Sequence, residues 1–416
     1  MSAEPEEFQI ARLGAQGDGI AETDAGPRYV AFALPGERVQ PGVKGLPRLL
    51  SAASADRTAP SCRHFGTCGG CVAQHMGERL YAEWKRDIVV AAFRQRGLEP
   101  NVAPLHCMAP GTRRRAVLTA RREGKRIALG YHRRKSLDLV DVEECPVLLP
   151  DILAKFSALR AIAAALPPPE VHLTVLWTPA GLDVAVAAGV SRLHATAVAE
   201  ICRIAAQHRL ARVAVDGETI IERAAPALTA AGIDVVVPAA GFVQAVQEAE
   251  QTMAHLVLAA VGRPKLVADL FCGIGTFTFH LARHARVLAL DRDAAAIAAL
   301  AAAARRAQRL RPIEARVRDL FREPLSAKEL ERFHAVVYDP PRAGARGQAE
   351  QLSRSKVGTV VAVSCDPGTL ARDVRLLVDG GYAIDSVTPI DQFLFSAHVE
   401  VVAVLRRNSS PSVGLR

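Results

Sequence analysis

Cys365 stands in the run Ser364-Cys365-Asp366-Pro367-Gly368-Thr369. Before it, residues 357–364 form a short apolar run rich in β-branched side chains, with no alternation, which predicts a strand buried on both faces. Asp-Pro-Gly-Thr then opens a helix. A thiol at the carboxyl end of such a strand lies on the edge of an α/β sheet where ligands bind. The N-terminus of the following helix favours anionic sulfur, so Cys365 is a candidate nucleophile.

A nucleophile needs a second reactant, and the segment upstream predicts a pocket for one. Asp269-Leu270-Phe271-Cys272-Gly273-Ile274-Gly275-Thr276 reads as a strand running into a glycine turn and then a helix, where backbone can approach a ligand closely. A second strand ends at Asp291, 22 residues after Asp269, where an acid can hold a ribose diol. A dinucleotide fingerprint would carry a third glycine where Thr278 stands, so an S-adenosylmethionine pocket fits better. Asp291 would then take the ribose hydroxyls, Asp319 would face the adenine, and Cys272 would pack beneath the cofactor. The next strand ends in Tyr338-Asp339-Pro340-Pro341-Arg342, whose paired prolines stiffen the loop. Methylases of exocyclic amines place a stacking aromatic where Arg342 stands, which argues against that chemistry.

Four more cysteines form a set. Cys62 and Cys68 have five residues between them, Cys68-Gly69-Gly70-Cys71 follows, and Cys145 comes later in Glu144-Cys145-Pro146. Glycines between thiolates let backbone amides point at sulfur. A structural zinc site usually pairs two Cys-x₂-Cys knuckles; one is present here, so a cubane iron–sulfur cluster fits better than zinc. Cys107 and Cys202 lack such neighbours and read as small hydrophobes.

The elements that must position these groups fall into three stretches. Residues 8–54 read as short strands broken by Gly and Pro, the pattern of a small β-barrel of the OB or related type. Residues 78–97 read as an amphipathic helix ending at Gly97, and 100–238 as mixed α+β with hairpins at 116–120 with 127–131 and at 171–177 with 182–186. From about residue 240, strands at 265–270, 286–290, 335–338 and 357–364 alternate with helical stretches, the signature of a doubly wound α/β domain. The chain has 416 residues, 50% of them hydrophobic, which supports two or three cores. No apolar run reaches the ~18 residues needed to cross a bilayer, and the acidic start, Met-Ser-Ala-Glu-Pro-Glu-Glu, lacks the regions of a signal peptide, so a cytosolic location is expected. The formal net charge is +9, and between Arg113 and Lys135 there are ten Lys or Arg against one Glu, which points to a polyanionic partner such as RNA.

Taken together these motifs resemble the RNA uracil-C5 methyltransferase family, in particular its iron–sulfur branch acting on 23S ribosomal RNA. The resemblance runs through the barrel, the cysteine set, Gly241-Phe242-Val243-Gln244, Asp269–Phe277, Asp339–Arg342, Ser364–Pro367 and Asp391-Gln392-Phe393-Leu394-Phe395-Ser396-Ala397-His398-Val399-Glu400. It implies a TRAM-like barrel at 1–55, a central α+β domain at 56–238 carrying a [4Fe-4S] cluster on Cys62, Cys68, Cys71 and Cys145, and a Rossmann-like class I methyltransferase domain at 239–416. It also implies S-adenosylmethionine contacts from Gln244, Phe271, Thr276, Asp291, Asp319 and Asp339, with Cys365 as nucleophile and Glu400 as base. Leu394, Asp366 and Thr276 depart from the residues usual in the family, and none of them makes or breaks bonds.

The implied chemistry follows from the weakness of uracil C5 as a nucleophile. Addition of a thiolate to C6 generates an enolate whose C5 attacks the sulfonium methyl; the C5 proton must then leave before the thiol is expelled. Arg342 would offset the enolate charge. His398 is assigned a structural place. The expected partner is 23S rRNA, met by a monomer with no membrane association. Two rivals remain open: a tRNA uracil-C5 methyltransferase, which usually lacks the barrel and cysteine set, and a non-catalytic RNA-binding iron–sulfur protein.

Overall fold

The computed structural model describes residues 6–42 and 46–408. Residues 1–5, 43–45 and 409–416, which the sequence assigns to the first and last stretches, lie outside the described residues.

The C-terminal sheet holds seven strands: β1 (Leu266–Leu270), β2 (Arg286–Asp291), β3 (Ile313–Val317), β4 (Ala335–Tyr338), β5 (Thr359–Ser364), β6 (Tyr382–Ile390) and β7 (Glu400–Arg407). Their spatial order is β3-β2-β1-β4-β5-β7-β6. The first five run parallel; β7 lies antiparallel to β5 and to β6. β1, β4 and β5 are apolar throughout their centres because helices cover both faces, as parallel sheets require. The chain order reverses between β1 and β4, the switch point at which such sheets bind ligands beyond their carboxyl ends. The sequence located β1, β2, β4 and β5 to within two residues; the closing hairpin β6–β7 had no strand assignment.

A second seven-stranded sheet, mostly antiparallel, contains the strands Arg115–Glu123, Arg126–His132, Glu170–Thr178 and Gly181–Ala187, with one parallel pair, Gly181–Ala187 beside Arg212–Val215. The helices Phe156–Ala165 and Ala195–Gln207 share its core. At the N-terminus two three-stranded sheets, Phe8–Gln9 with Arg38–Gln40 and Arg48–Leu49, and Arg12–Leu13 with Gly19–Ala21 and Arg28–Val30, enclose Phe8, Ile10, Ala21, Val30, Ala33 and Val39.

One element crosses the expected boundaries. The helix Glu78–Arg94 buries Tyr81, Trp84, Lys85, Val89 and Phe93, at the i, i+3/i+4 spacing of a single stripe. Val89 and Phe93 pack into the core of the C-terminal sheet, not that of the central sheet. Val102 and His106 then pair in parallel with Val387 and Ile390 and extend the sheet past β6. Lys85, with no exposed side-chain surface, donates from Nζ to Asp391 Oδ1 at 2.7 Å and to the carbonyls of Phe393 and His398. Tyr81 Oη donates to the other oxygen of Asp391 at 2.6 Å. Burial pushes the Lys85 ammonium down and the Asp391 carboxyl up, against their mutual attraction.

Candidate active site

Cys365 sits between β5 and the helix Pro367–Asp379. Asp366 caps that helix by accepting from Thr369 N at 2.9 Å, and Pro367 occupies its first turn. The thiol is half-buried, and burial pushes it up to about 11, with the carboxylates of Glu400 and Asp339 adding to the rise and Arg342 opposing it. At rest it is therefore a thiol, and Arg342, at the end of the β4 loop, is the cation that favours its ionisation. The helix N-terminus was expected to favour anionic sulfur; two acids, Glu400 and Asp339, act against it.

Glu400 opens β7, the strand next to β5, so its carboxylate comes to the same sheet edge although it lies 35 residues after Cys365 in the chain. It is buried, and burial, then the Asp339 charge, raises its pKa; Gln392 and Arg342 oppose the rise. Asp339 follows β4. Its pKa also rises through burial of the carboxylate, although the residue as a whole keeps some exposed surface. Gln244 Nε2 donates to Asp339 Oδ2 at 2.9 Å, Gln392 Nε2 donates to Gln244 Oε1 at 2.8 Å and also to Glu400 Oε2, and Gln392 Oε1 accepts from Ala245 N at 3.2 Å. Cys365, Glu400, Asp339 and Gln244 are thus brought together. Gln392, quoted in the sequence as part of a motif but given no role, belongs with them.

The glycine turn after β1 has Phe271 at φ 60° and Gly275 at φ 100°. Asp269 is buried, accepts from Thr278 Oγ1 at 2.5 Å through Oδ2, and has no partner for Oδ1; burial pushes its carboxyl up to about 7. Gly273 N donates to Asp291 Oδ2 at 2.9 Å, and Asp293 N to Oδ1 at 2.8 Å. Asp319, beyond β3, accepts from Phe321 N at 3.0 Å, and the rings of Phe321 and Phe271 lie 5.4 Å apart. Thr276 is half-buried on the turn leading to the helix Thr278–Ala282. The expected cofactor residues therefore lie along the carboxyl ends of β1 to β4, with Gln244 entering from the segment before the domain's first helix. Cys272 is buried beside Asp269 and Asp291.

Cys62, Cys68, Cys71 and Cys145 line one cavity of about 360 Å³ that also touches Arg113, Arg342, Phe393 and His398. Burial raises the Cys62, Cys68 and Cys71 thiols, Cys71 to about 12, and the neighbouring cysteines add to the rise in each. Gly70 N points at Cys68 Sγ from 3.4 Å. Gly69 N donates to His132 O, and a Cβ on Gly69 would stand 2.7 Å from that oxygen, so the glycine lets the knuckle lie against the Arg126–His132 strand. Among the described residues no group of three or more His, Cys, Asp or Glu is placed to hold a single metal ion.

Much of the basic stretch is already committed. Arg114 pairs with Glu250, Arg121 with Glu170, Arg126 with Asp141 and Arg134 with Asp18. Arg113 and Arg115 instead lie over the rings of Phe393 and Phe242, at 5.9 and 5.5 Å, and both line the cavity.

The model of the tRNA (Uracil-5-)-methyltransferase family matches residues 237–408. An RNA methyltransferase of Rhizobium meliloti, itself uncharacterized, is 47% identical over 96% of this chain and 98% of its own. The chain belongs to the RNA uracil-C5 methyltransferase family. As a member of that family it is an S-adenosylmethionine-dependent methyltransferase acting on RNA. Another relative of this methyltransferase is the 23S rRNA (uracil(1939)-C(5))-methyltransferase of Halomonas elongata, 33% identical over 97% of this chain and 90% of that one. The fold is shared with the tRNA (uracil-54, C5)-methyltransferase of Pyrococcus abyssi, solved with S-adenosyl-L-homocysteine, at a TM-score of 0.74 and 22% identity over 96% of this chain and 99% of that one.

Described helices include none long and apolar enough to cross a membrane.

Proposed function

We propose that this methyltransferase transfers a methyl group from S-adenosylmethionine to C5 of a specific uridine in 23S rRNA, in the cytoplasm and as a monomer, through a covalent adduct between Cys365 and uracil C6. The observation that carries this is the convergence of a thiol, a buried carboxylate and a cation: Cys365 and Glu400 both feel the Arg342 cation, and the three lie on neighbouring strands at one sheet edge. The Cys365 thiol gives up its proton to solvent as its sulfur bonds to uracil C6, with Arg342 favouring the thiolate and then the enolate oxygen. The C5 carbon takes the methyl group, Glu400 takes the C5 proton, and the electrons of that C–H bond rebuild C5=C6 and expel the Cys365 thiolate. Gln244, Phe271, Thr276, Asp291, Asp319 and Asp339 hold the cofactor: Asp291 the ribose, Asp319 with Phe271 the adenine, Asp339 and Gln244 the end nearest the reaction.

Favouring ribosomal over transfer RNA is the 33% identity to the Halomonas elongata enzyme. We assign the N-terminal sheets to a TRAM-like barrel over 1–55, ahead of a central domain at 56–238 and a catalytic domain at 239–416. Cys62, Cys68, Cys71 and Cys145 suit a [4Fe-4S] cluster by donor chemistry: four thiols around one cavity, with a backbone amide aimed at a sulfur. When bound, such a cluster would hold the knuckle, the Cys145 loop and the basic Arg133 segment together; the methyl transfer moves no electrons and needs none from it. Cys365→Ala should abolish 5-methyluridine formation in 23S rRNA, read by mass mapping of rRNA from a deletion strain complemented with the variant. Persistent methylation in that strain would overturn the nucleophile.

A further inference from the structure

The amide of Gln392 is fully committed. Its oxygen accepts from Ala245 N, which fixes which end of the side chain is nitrogen, and both hydrogens are used, one on Gln244 Oε1 and one on Glu400 Oε2. Gln392 is 2% exposed, so water does not compete for these bonds. Asp391, its neighbour in the chain, is clamped by Lys85 and Tyr81, which fixes the backbone from which Gln392 reaches. Glu400 Oε1, by contrast, has no hydrogen-bond partner among the described residues. A carboxylate with one oxygen held as acceptor has one oxygen left to act.

From this arrangement we infer that Gln392 is a positioning residue for proton removal: it occupies Oε2 of Glu400, leaves Oε1 to take the uracil C5 proton, and links the base through Gln244 to the cofactor-side carboxylate Asp339. The inference rests on the proposed covalent reaction. The donor bond favours the ionised form of Glu400, opposing the burial and the Asp339 charge that favour the neutral acid. Its removal leaves the base protonated to higher pH and free to rotate. Methyl transfer precedes this step and uses neither oxygen of Glu400, so the effect falls after the methyl group has moved. The C5–H bond then breaks slowly, the proton passes late to Glu400, and the Cys365–C6 bond persists.

Gln392→Met keeps the length of the side chain and removes every hydrogen bond. With unmodified substrate RNA under single turnover, this variant should form the protein–RNA adduct at the wild-type rate. Resolution of the adduct should slow by about tenfold or more, part of the 10²–10⁴ that a positioned base contributes. A denaturation-resistant complex should build up, the pH at which resolution reaches half its maximum should rise, and a primary isotope effect from RNA deuterated at uracil C5 should appear. Equal slowing of adduct formation and resolution, or loss of both, would mean that Gln392 only builds the pocket and would overturn the assignment. Wild-type enzyme with 5-fluorouracil RNA is the control: failure to trap an adduct there removes the covalent reaction itself, and with it the premise.

Discussion

Asp269 is an acid held where an anion is costly. One oxygen receives the Thr278 hydroxyl, the other has no partner, and its carboxyl is pushed from 3.8 to about 7 by burial, helped by the Asp339 and Asp291 charges. Between those values the folded protein binds a proton that the unfolded chain has released. The contribution is present in full below pH 3.8 and is lost as pH rises through about 7. The protein without cofactor should therefore lose stability across that window, and Asp269→Asn, which keeps an oxygen for Thr278, should flatten the slope. Urea unfolding at a series of pH values would decide; an unchanged slope would mean that Asp269 is already ionised. At this scale the sequence was informative where chemistry is local. Cys365, Asp291 and the glycine turn sit in motifs whose neighbours explain them. Gln392 was not readable in the same way: its three partners, Ala245, Gln244 and Glu400, are as far as 148 residues away, and a glutamine between an aspartate and a phenylalanine carries no local signature. The basic run pointed to RNA, as the family bears out, but four of its arginines neutralise buried or half-buried acids.

Elements place these residues. The turn after β1 works because Gly275 adopts φ 100° and because its missing Cβ leaves room: a Cβ there would stand 2.7 Å from the Phe279 ring and 3.1 Å from Leu300. Gly275→Ala should cost about 1–3 kcal/mol of stability. Because the same turn aims Gly273 N at Asp291, S-adenosylmethionine affinity should fall with it, read by titration calorimetry alongside denaturation. Wild-type affinity in a destabilised Gly275→Ala protein would separate the turn from the pocket. β1, β4 and β5 were legible because a strand covered on both faces has an apolar signature. The N-terminal stretch read as short strands broken by Gly and Pro, and its strands are two or three residues each.

Across the whole molecule, one ion pair joins chain segments 306 residues apart. Lys85 and Asp391 are both without exposed side-chain surface, and removing one partner strands the other. Lys85→Met should destabilise by about 3–5 kcal/mol, while Lys85→Met combined with Asp391→Leu should recover part of the loss; a double-mutant cycle by chemical denaturation checks both. Sequence periodicity identified the helix that carries Lys85 but could not say which sheet its stripe covers, because an apolar face does not name its partner.

That helix has a practical consequence. Val89 and Phe93 complete the core of the catalytic sheet, Lys85 and Tyr81 hold the loop that carries Gln392, and residues 102–106 lengthen the sheet's edge. The catalytic half is consequently not a portable cassette. A fragment beginning at residue 239 would leave an apolar seat open and Asp391 unanswered, so a hybrid enzyme built by exchanging RNA-recognition segments between relatives should place its junction before Glu78 or carry residues 78–106 along with the methyl-transfer unit.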